Sequence, residues 1–442
     1  MSPMRLIPAL VVLCGITVAP PVRCQQTGYR AGSLPSDQPQ PVYAKDPQDS
    51  WNRIFYFLFT RTVKLRLTDD FREEGPFQPA HFGAFPAFHS QPVSDRLFER
   101  VESGDRAIDP LYPSFLDSLG TVRLMTEPRY SEFEKSMRAA IEERGQRTPV
   151  ERALMQSDLW AAYDIIYSNL RWVDAARSTL MLKTLARMIR KLALSQEEIA
   201  ALPNNYAAGT SRLDLPDVFG EHSPWIEIEW GQGRLHDSAA NYRRSTRVFL
   251  NPGTTPIDQR NFLEEFRENR TPHAPLKAVA LITQSLIIDK SGDVVPSGTT
   301  TEVQVREFKL TSDGRLSKTE IAEFELSRRA MLTEPASGGL VRFEESAPAY
   351  LPASGNDYSF ASGIDSSDGR VRDTSILGSL RARCGGCHGP NVATLFTFSK
   401  HDPQAGEIRI LRKQANEHGR YVIEQKKKLG SWKSLQENWA QD

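Results

Sequence analysis

The sequence predicts a multidomain α+β protein, with a helical N-terminal domain, a β-rich middle domain and a small all-α C-terminal module. The spacing of apolar residues changes from near four to two after about residue 205, which indicates a change from helices to strands. A Ser-, Gly- and Asp-rich segment, residues 353–373, is typical of a linker. At 442 residues the chain exceeds what one core usually serves. We therefore expect domains at residues 51–205, 206–352 and 374–442.

The N-terminal 24 residues have the pattern of a secretory signal peptide, in which Arg5 precedes an apolar run from Leu6 to Val22. The run is short and interrupted by prolines, and no other segment has the roughly 18 apolar residues that a spanning helix needs. A retained N-terminal anchor is the alternative. Residues 25–50 are rich in Gln, Pro, Ser and Gly and predict a flexible tether. We therefore expect an exported protein, periplasmic or extracellular, with no integral membrane span after signal removal.

The helical domain is predicted from apolar spacing and from helix-start signals. Residues 51–67 form a dense apolar and aromatic run that predicts a helix. Thr148-Pro149-Val150-Glu151 combines an N-cap, a proline at the first helical position and a capping-box glutamate, which predicts a helix running towards Leu170. A further helix is predicted over residues 175–194. Ser195-Gln196-Glu197-Glu198 then predicts the start of a short one.

The β-rich domain is predicted from period-two alternation between turn signals. Ile226 and Ile228 alternate with glutamates, and residues 276–288 form a long β-favouring run that ends in Asp289-Lys290-Ser291-Gly292. Further strands are predicted around residues 301–305 and 320–326. Because the turns between these runs are short, we expect the strands to be antiparallel.

A single motif, Cys384-Gly385-Gly386-Cys387-His388, has residue types and spacing that indicate one chemistry. Two thiols at this spacing can each bond one vinyl group of a haem, and the adjacent imidazole can bind its iron. The other cysteines, Cys14 and Cys24, lie in or beside the predicted signal peptide. An exported chain would therefore keep only the pair in the motif, which argues against a structural disulfide framework.

The motif, with the glycine that follows it, resembles the haem-attachment site of small c-type cytochromes, and the resemblance covers residues 374–442 only. Two predicted helices, over residues 375–383 and 420–438, bracket the motif as in that fold. The resemblance implies one covalent haem c, bonded to Cys384 and Cys387. It further implies that His388 is the proximal iron ligand and that a separate redox partner protein exchanges electrons with the haem.

The sixth iron ligand departs from the family pattern. Small cytochromes of this type usually take a methionine well downstream of the motif, whereas all eight methionines here precede it. The imidazoles downstream are His401 and His418, so we expect one of them to be the distal ligand and prefer His418. A ligand from another domain and an open position remain alternatives. Two histidine ligands would give a low reduction potential, whereas an open site would admit a small molecule.

Other interpretations of the motif and of the chain remain open. A thioredoxin-like dithiol would follow a strand and begin a helix, whereas a helix is predicted before Cys384. A structural zinc site needs four ligands, and the chain has no second cysteine pair downstream of the signal peptide. The chain is predicted to be an electron carrier rather than an enzyme. The alternatives are a haem-dependent oxidoreductase or peroxidase-like enzyme, and a secreted binding protein without redox chemistry.

Charge provides little further information about partners. Lys plus Arg and Asp plus Glu both number 55, so the net charge gives no argument for a nucleic-acid partner. Lys426-Lys427-Lys428 is predicted to be either a basic docking face for an acidic redox partner or a solvated helix face.

Overall fold

The computed structural model describes the following residues: 39, 41–59, 62–64, 105–107, 121, 124–125, 129–167, 174–229, 244–253, 260–262, 264, 276–310, 316–343, 348–351, 376–379, 409–413 and 416–439. The residues from 34 onward form one unit. Cys384, Cys387, His388 and His401 lie outside the described residues.

The first helix, α1 (Ser50–Phe59), is almost completely buried because apolar and aromatic side chains surround its axis. It is shorter than the predicted span of residues 51–67. Thr62–Lys64 (β1) instead forms a strand, antiparallel to Asp105–Ala107 (β2). The β-branched pair Thr62 and Val63 favours this extended conformation.

The next helices confirm both predicted capping boxes. Tyr130–Glu143 (α2) precedes Pro149–Ile165 (α3), whose N-cap Thr148 accepts a hydrogen bond from the Glu151 backbone while the Glu151 side chain accepts one from the Thr148 backbone. Ser195 and Glu198 make the same exchange at Gln196–Ala200 (α5).

Between them, Ala175–Lys191 (α4) ends three residues before the predicted end of residues 175–194. Leu194 lies beyond this helix, and its carbonyl accepts a hydrogen bond from the Lys290 backbone. Asn205–Leu213 (α6) follows, with Asn204 as its N-cap. Arg328–Thr333 (α7) lies later in the chain, between two strands of the main sheet.

A seven-stranded antiparallel sheet forms the middle of the protein, as the short turns predict. Its strands are, in spatial order, β11 (Arg409–Ile410), β3 (Ile226–Glu229), β4 (Arg244–Asn251), β5 (Ala278–Ile288), β6 (Val294–Leu310), β7 (Leu316–Leu326) and β8 (Leu340–Phe343). Six of these strands are consecutive in sequence. The seventh comes from beyond the cysteine motif of residues 384–388.

The predicted turn at residues 289–292 joins β5 to β6. Asp289 Oδ1 accepts hydrogen bonds from the Asp293 backbone and the Ser291 hydroxyl. Gly292 has φ of 91°, a conformation that is strained for residues with a Cβ. The local sequence therefore determines where β5 ends.

The two faces of the sheet differ. One face packs against the helices and belongs to the main hydrophobic core through Phe249, Ala280, Ile282, Val303, Val305 and Phe324. The other face has a small apolar cluster at one end, in which Phe262 packs on Leu250, Val279 and Phe308. Beyond this cluster, most buried side chains of the second face are polar, although Leu281 also lies there.

The C-terminal region forms two helices, Glu417–Lys428 (α8) and Gly430–Trp439 (α9), where one helix over residues 420–438 was expected. They are separated by Leu429, whose backbone is extended, with φ of −72° and ψ of 146°. The second helix packs on the N-terminal helices: Trp432 lies 5.8 Å from Trp160 between ring centroids, and Trp439 Nε1 donates to the Ala186 carbonyl at 3.0 Å.

The protein is thus a mixed α+β chain, with N-terminal helices, an antiparallel sheet in the middle and C-terminal helices, as the sequence predicts at that level. The described parts of the first and last regions pack on each other. The finer division at residues 51–205, 206–352 and 374–442 stays a prediction. The all-α character predicted for residues 374–442 is wrong, because Ile376–Ser379 and Arg409–Ile410 are strands.

Candidate functional site

Of the residues predicted to hold a haem, the structure describes His418 alone, so it brings no two of them together. His418 is the second residue of α8 and is 5% exposed. The helix begins at Asn416, which has a positive φ of 44° and whose side chain accepts a hydrogen bond from the Gly419 backbone. His418 therefore lies at a buried, capped helix start.

The segment before Cys384 is a strand where a helix was expected. Ile376–Ser379 (β10) pairs antiparallel with Pro348–Leu351 (β9), with Ile376 opposite Leu351 and Ser379 opposite Pro348. The predicted helix over residues 375–383 is wrong at residues 376–379. The backbone N–H and C=O groups of this segment pair with strand β9 instead of forming a helix. The predicted linker, residues 353–373, joins the two strands of that hairpin.

This strand affects the choice between chemistries for the cysteine pair. A thioredoxin-like dithiol follows a strand. The argument against that interpretation was that a helix, and not a strand, is predicted before Cys384. The strand Ile376–Ser379 removes this argument. Residue spacing continues to favour haem, since the histidine follows the second cysteine directly.

The chain after the motif is fixed to the sheet edge. Arg409 and Ile410 pair with Glu229 and Ile228, and the Leu411 N–H donates to the Glu227 carbonyl at 2.9 Å. These bonds fix the chain at residues 409–411, downstream of the cysteine motif.

A buried ion pair strengthens this attachment. Arg247 donates two hydrogen bonds to Glu227, Nε to Oε1 at 2.8 Å and Nη2 to Oε2 at 2.6 Å, and a further one to the Lys413 carbonyl. Lys413 Nζ donates to the Gly220 carbonyl at 2.6 Å. Burial lowers the pKa of Lys413 below its usual value, against the opposite influence of Asp217 and Glu227.

A group of buried polar side chains, not predicted from the sequence, lies on the second face of the sheet; we name it the charged face. It comprises Arg244, Thr246, Thr283, Glu302, Gln304, Arg306, Glu323 and Glu325. Apart from Arg244, each of these residues is at most 9% exposed. The alternation of Glu302, Gln304 and Arg306 with valines was a signal for a two-faced strand, but such a pattern ordinarily indicates a solvated polar face.

The strand register places like charges together on the charged face. Glu302 lies directly opposite Glu325, and Gln304 lies directly opposite Glu323. Directly opposed residues have Cβ atoms about 5 Å apart, and like charges at that distance are destabilising. Gln304 Nε2 donates to Glu302 Oε1 at 2.6 Å, and Arg244 Nη1 lies 3.9 Å from Glu302 Oε2. This face therefore brings three buried glutamates together with two arginines, Arg244 and Arg306.

Lys426, the first residue of the lysine run, cannot contribute to a basic docking face, whereas Lys427 and Lys428 are exposed. Lys426 is fully buried: its Nζ lies 2.6 Å from Asp164 Oδ2 and 4.9 Å from the ring centroid of Trp160. Lys427 pairs with Asp293 at 2.9 Å, and both of those side chains are substantially exposed. The first lysine is therefore part of the core.

A second buried polar cluster joins the N-terminal segment to two helices. Arg328 donates to both carboxylate oxygens of Asp158, Nε to Oδ2 at 2.8 Å and Nη2 to Oδ1 at 2.6 Å, and the Tyr43 hydroxyl also donates to Asp158. Burial raises the pKa of Tyr43, and the negative charge of Asp158 raises it further. All three groups bind one another, which indicates a structural role.

A polar cleft of about 810 Å³ lies between the starts of α1 and α3. Arg147 lies at its side, with Nη2 2.6 Å from Asp49 Oδ2 and Nη1 3.4 Å from Glu151 Oε1. The guanidinium also stacks on Trp51 at 4.8 Å. Because carboxylates of the chain already bind this cation, the cleft offers no free anion site at Arg147.

Within the described ranges, no group of three or more His, Cys, Asp or Glu side chains is arranged to hold a metal ion. The helices of the described part of the chain also lack the combination of length and hydropathy that crossing a membrane requires. Neither a protein-family model, nor a curated protein, nor a solved structure matches this chain.

Proposed function

We propose that this chain is an exported c-type cytochrome, in which one covalent haem transfers electrons to or from a separate redox protein. The observation that carries the proposal is the motif from Cys384 to His388 together with the absence of other cysteines beyond residue 24. Two thiols and an adjacent imidazole are the donor set that covalent haem c requires. The bound haem would supply a one-electron ferric/ferrous couple.

The chain's own residues have distinct roles in this proposal. Cys384 and Cys387 hold the haem covalently, and His388 binds its iron. His418, or alternatively His401, is the distal ligand, with the burial of His418 in favour of the first assignment. The helices and the sheet form the platform on which a partner protein or a substrate docks, and residues 374–442 form the cytochrome c-like module.

The deciding experiment is export of the full chain in a host with haem c maturation machinery. We expect a haem-stained band after denaturing electrophoresis and a pyridine-haem spectrum of the c type. Replacing both Cys384 and Cys387 with serine should abolish the stain, whereas Cys24→Ser, the matched control, should keep it. Protein that lacks covalent haem under these conditions would contradict the proposal.

A redox-active dithiol is a second candidate, because a strand precedes the cysteine pair. In this case the chain would emerge without haem, and Cys384 and Cys387 would form a disulfide that a small thiol reduces. Counting free thiols in the exported protein before and after reduction distinguishes the two functions. Covalent haem on both cysteines rules out the dithiol.

A further inference from the structure

The polar cleft between the starts of α1 and α3 extends along α2. One face of α2 lines it, with Lys135, Ala139 and Glu143 at four-residue spacing. Residues at this spacing lie above one another on a helix. At a rise of 1.5 Å per residue, Lys135 and Glu143 are about 12 Å apart along the helix axis. They mark the two ends of the cleft.

Helix α1 forms the other wall and runs in the opposite direction to α2. Ser50 Oγ, at the start of α1, donates to Glu143 Oε2 at 2.7 Å. Arg53 Nη2, almost one turn later, lies 3.7 Å from Glu132 Oε2, near the other end of α2. The two helices therefore contribute side chains jointly to each end of the cleft.

Carboxylates dominate one end of the cleft. Asp46, Asp49, Glu143 and Glu151 line it, with the guanidinium of Arg147 between them. Four carboxylates against one guanidinium leave three negative charges in excess. Within the described part of the chain, neither Glu143 Oε1 nor Asp46 Oδ2 makes a hydrogen bond. These two oxygens can accept from a cationic ligand.

Cations line the other end of the cleft. Lys135 is exposed, and it has no ion-pair partner among the residues that the structure describes. Arg53 faces Glu132 at 3.7 Å, and these two side chains are 32% and 54% exposed. An exposed pair at this distance contributes little to stability, so Arg53 can exchange Glu132 for the carboxylate of a ligand.

The lining between the two ends is uncharged. Ser136 is buried, and its hydroxyl already donates to the Glu132 carbonyl at 3.0 Å, while Ala139 presents a methyl group. Gln48 and Gln146 also line the cleft, and a side-chain amide both donates and accepts hydrogen bonds, as a peptide group requires. The cleft thus fits a ligand with one cationic end, one anionic end and amide groups between them.

We propose that this cleft binds short free peptides, about three residues long, by their two charged ends. The terminal ammonium group lies against Glu143 and Asp46, and the terminal carboxylate lies against Lys135 and Arg53. Three extended residues span about 10 Å, which matches the spacing of the two ends. The site uses none of the residues proposed to hold haem, so it goes beyond the proposed function.

The test is ligand-detected saturation-transfer NMR of the full chain, with trialanine as the probe. N-acetyl-trialanine lacks the cation, trialanine amide lacks the anion, and N-acetyl-trialanine amide lacks both. We expect each singly blocked form to bind roughly threefold to tenfold more weakly than trialanine, as for the loss of one charged contact near the surface. No saturation transfer to trialanine, or equal affinity for the doubly blocked form, would overturn the site.

Lys135→Met tests the anion-binding end in a side chain that is exposed. We expect a threefold to tenfold loss of affinity for trialanine, on the order of one charged contact, and no loss for trialanine amide, which has no carboxylate. Arg138→Met is the matched control, because Arg138 is also exposed on α2 but does not line the cleft. Unchanged affinity for trialanine in Lys135→Met would contradict the proposal.

Asp46→Asn tests the cation-binding end. Asp46 is exposed, and asparagine can still accept the hydrogen bond from the Gln48 backbone, so the fold keeps its contacts. We expect weaker binding of trialanine and unchanged binding of N-acetyl-trialanine. Glu142→Gln, exposed and outside the cleft, is the control. A variant Asp46→Asn that binds trialanine as tightly as the original chain would refute the placement of the ammonium group.

Discussion

Lys426 Nζ lies 2.6 Å from Asp164 Oδ2, although 262 residues separate the two in the chain, and both side chains are buried. The pair joins α8 to the end of α3. Because Trp160 lies beside the ammonium group, this contact combines an ion pair with a cation–π interaction. It connects the chain downstream of the cysteine motif to the N-terminal helices.

We expect Lys426→Gln to lower the free energy of unfolding by about 3–5 kcal/mol, because it leaves a buried carboxylate without its cation. Urea unfolding measures the change. Lys427→Gln is the matched control: its partner Asp293 is exposed, so the loss should be about 0.2–1 kcal/mol. Equal, small losses in the two variants would show that the buried pair contributes nothing beyond a surface one.

The N-cap of α3 provides a second prediction. Thr148→Ala removes the side chain that accepts a hydrogen bond from the Glu151 backbone, and we expect a loss of about 1 kcal/mol. Thr179→Ala, on the exposed face of α4, should change stability by less than about 0.5 kcal/mol. Thermal unfolding of both variants tests this, and a cap variant as stable as the control would refute the role of Thr148.

The lowered pKa of Glu198 predicts that the stability of the fold depends on pH. A hydrogen bond from the Ser195 backbone lowers its pKa from the ordinary value of 4.5; burial opposes this effect, and Arg152 lowers the pKa further. The ionised carboxylate therefore stabilises the fold above pH 4.5, and this contribution is lost as the pH falls through the folded-state pKa.

Glu198→Gln isolates this contribution because glutamine can still accept the capping hydrogen bond. We expect the variant to be less stable than the original chain at neutral pH, and the difference to shrink below pH 4.5. Unfolding midpoints are measured across this range, with the exposed Glu424→Gln as a control for net charge. A difference that stays constant down to the lowest pH would contradict the assignment.

The distal ligand is tested by exchanging histidine for methionine in the haem-loaded protein. We expect His418→Met to alter the absorption spectrum and raise the reduction potential, because a methionine ligand favours ferrous haem more than histidine does. His401→Met should leave both unchanged. The opposite pattern would assign the site to His401, and no change in either variant would place the ligand elsewhere.

Short-range signals in the sequence predicted the local structure well. The capping boxes at Thr148 and Ser195 and the turn ending at Gly292 depend on a few adjacent residues, and the structure confirms them. The antiparallel sheet follows from the same kind of signal. These features require no knowledge of distant parts of the chain.

The differences between the predicted and the observed structure arise from contacts between distant parts of the chain. A lysine run looks solvated until Asp164 and Trp160 are brought beside Lys426. Glutamates that alternate with valines likewise look exposed until the second face of the sheet is buried. The strand Ile376–Ser379 depends on its pairing with Pro348–Leu351. The apolar spacing within residues 375–383 gives no information about this distant partner. The cysteine motif is thus evident from adjacent residues, whereas the charged face is evident only once the strands are paired.

The edge strand Arg409–Ile410 also constrains the order in which the protein can mature. During synthesis this strand appears after the six strands it completes, and α8 and α9 appear after the helices on which they pack. Contacts between such distant parts of a chain form slowly, because the loops between them must close first. The thiols at positions 384 and 387 are therefore synthesised before the fold can close, so they first belong to an incompletely folded chain.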